Sequence, residues 1–310
     1  MDVIDDMYGA KKEILECIRR HGFVREHNFW FFSNQQSNYA KTYFLKFNDY
    51  GLFAVRYKSG IWEFIGEVLA PEEKRLQMFW DFLDFVLLER KDKKAFAFIP
   101  ERFYEEINDR IKTSDSYMIT NSPIIYTTPA FNLKKWDEDL KGSEWKKLRN
   151  VRNQFFKLHN AEIVPCKELE KEKLFEVVSQ WRKNRPRIER NYYTGLYLNF
   201  IKNDFEGCDM ARSVVVDGKP CTITAGWSIP NTKNYYSAIG LYNYKYQGLG
   251  EIANIDDLSQ IKKGNFSYAD FGDSTESLLQ FKKKFNPESF YRTYWFHIAR
   301  KQVRNLAAVG

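Results

Sequence analysis

Three groups of residues in this chain have types and spacings that could do chemistry. The first is a turn, Lys245-Tyr246-Gln247-Gly248-Leu249-Gly250, between a β-rich run, Tyr235–Tyr242, and a helical pattern with Ile252, Ile255, Leu258 and Ile261 spaced by three. Glycines two apart let the backbone approach a ligand, because no Cβ blocks the way. The N–H groups opening the next helix, and its dipole, favour an anion there, and Lys245 adds positive charge. Phosphate suits this turn. A tight strand-to-helix turn without a ligand would use the same residues, and a lone glycine loop is a weak signal.

The second group is acidic. Asp270 and Asp273 flank Gly272 after the strand-like run Phe266–Phe271, and Glu276 follows. A carboxylate here could bind an ammonium group. Helix capping competes for these residues, so Ser274 is read as a cap and Asp270 is kept as a site candidate. The third group is basic. Arg149 and Arg152 lie in a charged run from Lys141 to Arg152, and Arg187, Tyr192 and Tyr193 lie in a basic, aromatic stretch. Such residues could contact phosphate or tRNA in a salt-sensitive way, and a solvated surface accounts for them equally. Lys282, Lys283 and Lys284 point in different directions, so at most one or two can reach a phosphate.

The elements that must position these groups follow from periodicity. A helix is expected over 7–22, then strands at 39–47, 52–58 and 61–69 joined by short turns, then a helix over 72–90 opened by Pro71. A strand at 95–99, a helix at 101–111 and an extended segment at 122–131 complete the first half. Residues 134–140 are charged and helix-prone, and a basic helix runs on through Arg152 with Trp145, Leu148 and Phe155 or Phe156 inward. A strand at 161–166, a helix at 168–183 and a short aromatic helix at 192–201 lead to three antiparallel strands at 210–216, 222–229 and 235–241. Asp217-Gly218 is a hairpin turn between the first two. After the glycine turn come a helix, the strand at 266–271, a helix at 276–285 and a last strand at 291–299. The tail 305–310 is expected to be loose.

The chain has 310 residues, 44% hydrophobic and 17% aromatic, enough for two domains with large cores. Net charge is +7, which suits an anionic partner such as coenzyme A, tRNA or an anionic surface. No run of about 18 apolar residues suggests a transmembrane helix, and the acidic start lacks signal-peptide character, so a cytoplasmic protein is expected. The four cysteines and four histidines show no ligand spacing, so no metal is expected.

Lys245-x-x-Gly248-x-Gly250, between strand and helix, resembles the pyrophosphate loop Arg/Gln-x-x-Gly-x-Gly/Ala of the GNAT acyltransferases, with Lys in first place. The strand 266–271 and the helix bearing Ser277, Phe281, Lys282 and Phe285 follow in that family's order. Phe281-Lys282-Lys283-Lys284-Phe285-Asn286-Pro287, after an Asp-Phe-Gly-Asp turn, is similar to the C-terminal domain of phosphatidylglycerol lysyltransferases. So is the basic run from Leu140 to Asn153. Those proteins and their Fem-like relatives are tandem GNAT proteins. The resemblance covers residues 130–300 by motif and the earlier residues by element order.

The resemblance implies an α+β fold of two tandem GNAT-like domains, each a mixed, mostly antiparallel sheet flanked by helices. The first would span 1–130 and lack the loop, since Val68-Leu69-Ala70-Pro71-Glu72-Glu73 stands where glycines would be. The second would span 131–310. It implies an acyltransferase acting on an amine or hydroxyl, with acyl-coenzyme A or aminoacyl-tRNA as donor. The donor would be held by Ile239, Leu241, Lys245, Gln247, Gly248, Leu249, Gly250 and Lys282, and the acceptor side would involve Arg149, Arg152, Arg187, Tyr192 and Tyr193. Backbone N–H groups near Ile239–Tyr242 would stabilise the oxyanion. Many GNAT enzymes protonate the leaving thiolate with a Tyr where this chain has Phe281. That shifts the acid to Tyr242, Tyr244 or Tyr268, with Asp270 nearby, and it suits a ribose leaving group better. The alternative is a tRNA- or nucleic-acid-binding protein on a decayed GNAT fold.

Overall fold

The computed structural model describes residues 1–301, without the side chains of Arg187, Ile188, Glu189 and Asn191. The tail Asn305–Gly310, expected to be loose, lies outside the described residues. In chain order the elements are β1 (Asp2–Ile4), α1 (Lys11–His21), α2 (Phe29–Asn34), β2 (Ala40–Phe47), β3 (Tyr50–Tyr57), β4 (Ile61–Ile65), α3 (Glu72–Leu83), β5 (Lys94–Pro100), α4 (Glu101–Lys112), β6 (Tyr117–Ile119) and β7 (Ile124–Asn132). Then come α5 (Lys146–Leu158), β8 (Ala161–Pro165), α6 (Lys171–Lys183), α7 (Arg187–Lys202), β9 (Met210–Val216), β10 (Lys219–Pro220), β11 (Thr222–Ser228), β12 (Asn234–Tyr242), α8 (Leu249–Lys263), β13 (Tyr268–Asp270), α9 (Glu276–Lys282) and β14 (Ser289–Arg300). They divide into two compact units. One is Met1–Cys17, Asn38–Tyr126 and the chain from Arg292; the other is Ile18–Ser37 with Thr127–Tyr291. Residues 18–37 therefore fold with the second unit, although they precede most of the first.

In the first unit the strand order is β1-β2-β3-β4-β5-β14, with β6 also on β14. All pairs are antiparallel except β4 with β5, which α3 connects. Phe64, Phe79, Phe82 and Phe103 form its aromatic core. The helix expected to reach Arg90 is α-helical only to Leu83 and then widens into a π turn over Asp84–Glu89, closed by Arg90 N–H donating to the Phe85 carbonyl at 3.0 Å. The turn before α3 is filled by protein. Val68, Leu69 and Ala70 are buried, and Arg75 donates to the Ala70 carbonyl at 2.8 Å and pairs with Glu67 at 3.3 Å.

In the second unit the order is β7-β13-β12-β11-β9-β10, with β8 along β9. Again one pair is parallel, β12 with β13, and a helix, α8, connects it. On one face, Val177 and Trp181 of α6 and Phe200 and Ile201 of α7 pack on Trp227, Ile239 and Leu241. On the other, Ile255, Leu258 and Ile261 of α8 pack with Leu148 of α5, Phe131 and Tyr235. Asp217 (φ +50°) and Gly218 (φ +74°) make the expected hairpin turn, but it leads from β9 into the short β10 and not directly into the strand at 222–228. The helix expected over 134–140 is absent. Asp137 instead accepts from the N–H groups of Asp139 (3.0 Å) and Lys141 (2.8 Å). This local bonding competes with helix and delays α5 to Lys146. Among the described residues no helix is long and apolar enough to cross a membrane.

Candidate active site

The second unit's sheet opens where β12 and β13 part. β13 pairs with β12 only at Asn234↔Tyr268, Tyr235↔Ala269 and Tyr236↔Asp270. Beyond Tyr236, among the described residues, β12 keeps its ladder to β11 and has no strand partner on its other side. The β11 ladder is itself irregular: Ala225 faces Ile239 and Gly226 faces Ser237. Ala238 is therefore an extra residue, a β-bulge. The bulge reverses the alternation, so Tyr236, Ile239 and Leu241 all join the layer under α6 and α7. A bulge beside a diverging strand is a place where backbone N–H groups can face a ligand carbonyl.

The expected loop follows β12. Gly248 has φ +84° and caps the N-terminus of α8, a left-handed conformation that favours glycine. Lys245 and Gln247 are exposed. The glycines, however, do not leave open space. A Cβ on Gly248 would stand 2.8 Å from Val151 of α5, and one on Gly250 would stand 3.2 Å from Phe281. Leu249 is buried in the core with Ile252. Glu251, in the first turn of α8, pairs with Lys284 at 2.8 Å, so a carboxylate of the protein already sits at the helix's positive end.

At the point of divergence lies a buried ionic cluster. Arg25 is 4% exposed. Its Nε pairs with Glu26 at 2.6 Å, its Nη2 with Asp273, and its Nη1 lies 3.4 Å from Asp270. Nη1 also donates to Thr128 Oγ1 (3.3 Å) and Tyr291 Oη (3.1 Å). The guanidinium lies over the Tyr236 ring, 5.1 Å from its centroid. The backbone of Arg25 is held too, because the Trp227 indole donates to its carbonyl at 2.8 Å. Asp270 accepts from Gly272 N–H (2.7 Å) and from the Tyr291 hydroxyl. Thr128 donates to Asp273 at 2.9 Å. Burial pushes the Glu26 carboxyl up, against the pull of Arg25. Desolvation of its hydroxyl, the inward end of a side chain whose ring reaches the surface, raises Tyr291 well above the ordinary phenol range, with Arg25 opposing.

Lys282 belongs to this cluster and not to the glycine loop. It is buried, and its ammonium donates to the carbonyls of Phe271 and Gly272 (2.9 Å) and to Ser274 Oγ (3.0 Å). Burial lowers its pKa to about 8, with Asp270 and Asp273 opposing. The expectation that Lys282 reaches a donor phosphate is corrected: its charge is spent on the Asp270–Ser274 turn. Ser274, expected to cap α9, instead receives Lys282 and donates to Gly272 (3.3 Å), while Thr275 is the residue at the N-cap position. A sequence signal existed, because Lys282 stands between Leu279 and Phe285 at spacings of three, on the buried face.

The other candidates scatter. Tyr242 is turned under the sheet, where its hydroxyl accepts from Asn254 at 2.9 Å and burial raises its pKa. Tyr268 is about 36% exposed, and a hydrogen bond to Glu288 raises its pKa. Neither lies at the cluster, whereas Asp270 does. Arg149 is committed to the carbonyls of Leu140 and Gly142 (3.1 Å), and Arg152 to those of Glu138 (3.1 Å) and Asp139 (3.0 Å). These arginines cap the turn before α5, which leaves the substrate role expected for them without geometric support. Tyr192 and Tyr193 lie on α7, where Tyr193 stacks on Tyr197 at 5.7 Å. The side chain of Arg187 lies outside the described residues. Arg185, which precedes α7, bonds the Tyr244 hydroxyl at 2.5 Å. It thereby joins the α6–α7 junction to the loop after β12, so the basic aromatic stretch and Lys245 share one end of the sheet.

Under the bulge lies Asp257, on α8. It is 3% exposed and accepts from Ser237 Oγ at 2.6 Å. Burial raises its pKa to about 7, with Ser237 opposing. A carboxyl whose folded pKa exceeds its unfolded value binds more protons folded than unfolded between the two, so its contribution to stability falls as pH rises from about 4 to about 7. Asp257→Asn keeps an acceptor for Ser237 and removes the charge. It is expected to match the parent at pH 4 and to be more stable by about 2–4 kcal/mol at pH 8, at 1.36 kcal/mol per pKa unit. Urea unfolding at both pH values checks this.

The profile of the family described as phosphatidylglycerol lysyltransferase, C-terminal, matches residues 25–297. The chain belongs to this family. The match begins at Arg25 and includes the whole cluster and the glycine loop. Among solved structures, a conserved protein of unknown function from Bacteroides thetaiotaomicron is similar over 97% of this chain and 100% of its own, with TM-score 0.70 and 13% identity. L-PGS from Bacillus licheniformis is similar over 98% and 94%, with TM-score 0.61 and 12% identity. A tandem GNAT protein from the clavulanic acid biosynthesis pathway is similar over 96% and 98%, with TM-score 0.55 and 8% identity. At such identities the likeness is one of fold, and it bears out the GNAT-like, mixed α+β architecture. No curated protein sequence matches the chain. Membership in the phosphatidylglycerol lysyltransferase C-terminal family supports a transferase of the acyl or aminoacyl class.

Proposed function

We propose that this protein transfers an aminoacyl group from aminoacyl-tRNA to a hydroxyl or amine acceptor, at the opening between β12 and β13. What carries the choice of donor is the family match over residues 25–297, whose description names a lysyl group, the acyl part of an aminoacyl donor. A Cβ at Gly248 would stand 2.8 Å from Val151 and one at Gly250 3.2 Å from Phe281, so packing alone requires glycine at both positions and the loop does not by itself call for a pyrophosphate. Glu251, in the first turn of α8, adds negative charge near the helix end that a pyrophosphate would use, and Lys284 pairs with it at 2.8 Å. An aminoacyl ester would not depend on that loop: its carbonyl would lie on the strand and its ribose would leave as an alcohol. The family's description names lysyl transfer to phosphatidylglycerol, an acceptor with a free hydroxyl, and this fits the reading.

The chemistry follows from the geometry. The donor carbonyl would lie along β12 at the Ala238 bulge, where N–H groups without a strand partner polarise it and receive the oxyanion. The exposed Lys245 and the Arg185–Tyr244 pair offer positive charge and an aromatic ring at the same end, as a single-stranded nucleic acid end requires. Offering the protein labelled aminoacyl-tRNA and, separately, labelled acetyl-coenzyme A tests the proposal. Discharge of the first alone is the expected result.

A further inference from the structure

We propose that Tyr291 and Asp270 form the proton relay of this transfer, with Arg25 as the residue that positions them. The inference rests on the acyl-transfer reading above and assigns the acid–base role that Phe281 leaves vacant. Its basis is placement. Asp270 is the last residue of β13 that pairs with β12, and the Ala238 bulge lies two residues beyond its partner Tyr236. Tyr291 is 37% exposed, so its ring reaches the surface while its hydroxyl bonds Asp270. Tyr242 and Tyr268 have no such carboxylate at the opening.

Every hydrogen bond at Asp270 is one it accepts, from Tyr291, Gly272 N–H and Arg25. Tyr291 Oη in turn accepts from Arg25 Nη1 at 3.1 Å. The phenol thus has a base behind its proton and a cation beside its oxygen. Proton transfer can run in both directions through such a pair. As the acceptor's O–H or N–H attacks the donor carbonyl, the new C–O or C–N bond forms. The acceptor's proton passes to Tyr291 Oη while the phenol proton passes to Asp270. As the tetrahedral intermediate collapses, the ester C–O bond breaks. The departing ribose oxygen takes a proton from Tyr291, and Asp270 returns its proton to the phenol. No proton is gained or lost overall.

Arg25 acts through both partners. Its guanidinium holds Asp270 and Asp273 and donates to Tyr291, which fixes the phenol against the carboxylate.

The test is Tyr291→Phe in the full chain, assayed by aminoacyl transfer to the acceptor. The ring and its packing stay but two hydrogen bonds go, so a small fall in melting temperature and an unchanged donor KM are expected, while kcat falls about 10²–10³-fold. A purely structural role for Tyr291 would move stability and KM together. Asp270→Asn still accepts from Tyr291 but is no base, and it is expected to lose kcat to a similar extent. It decides by the same criteria if Tyr291→Phe does not fold. An active parent with either folded variant within threefold of its kcat overturns the relay and leaves the transferase reading standing. A parent that transfers from neither donor overturns both.

Discussion

Arg25→Ala is expected to lower the free energy of unfolding by about 3–5 kcal/mol, the cost of stranding buried charges by removing their partner. Arg25 is buried against Glu26, Asp270 and Asp273, and no nearby lysine can replace it. The ammonium of Lys282 is held by the Phe271 and Gly272 carbonyls and Ser274. The loss should depend on pH. Burial already raises the Glu26 carboxyl against the pull of Arg25, so without Arg25 it would bind its proton still more tightly folded than unfolded. The deficit is therefore largest at neutral pH and shrinks as pH falls. Urea unfolding at pH 7 and pH 5 measures both effects. A deficit below 1 kcal/mol at pH 7 would mean that the carboxylates find other partners or water.

Gly248→Val is expected to cost about 2–5 kcal/mol. About 1–2 kcal/mol comes from forcing a side chain into the left-handed region, and about 1–3 kcal/mol from overpacking against Val151, whose Cγ1 would lie 2.8 Å from the new Cβ. Gly218→Ala is the control. Gly218 has φ +74° and nothing within 4 Å of a Cβ, so only the first term applies. If Gly248→Val were no worse than the control, packing against Val151 would not be what requires glycine at this turn.

Much of the second unit was legible in the sequence because its signals are local. The Ile252–Ile261 spacing defines α8, Asp217-Gly218 defines a hairpin, and the Gly248 turn falls between strand and helix as expected. Asp270 was found because an acidic pair flanking a glycine at a strand end stands out. Arg25 was not. It lies 245 residues from Asp270, in a segment without helical or strand period, and it folds with the second unit although most of the first unit follows it in sequence. Tyr291 was read only as the start of a closing strand. The Ala238 bulge was hidden because Tyr235–Tyr242 is apolar on both faces, so a shift of one residue leaves no mark. The glycines were legible but their neighbours were not: that Val151 and Phe281 fill the space beside them is a fact of tertiary packing.

The measurement that bears most directly on this account is the protein-dependent loss of label from aminoacyl-tRNA, with acetyl-coenzyme A run beside it under the same conditions. Release of the aminoacyl group from tRNA onto an acceptor is expected, suppressed by rising salt as phosphate contacts are screened, with no consumption of acetyl-coenzyme A. Turnover of acetyl-coenzyme A with aminoacyl-tRNA left intact would contradict this, because the Lys245–Gly250 loop would then be a working pyrophosphate site.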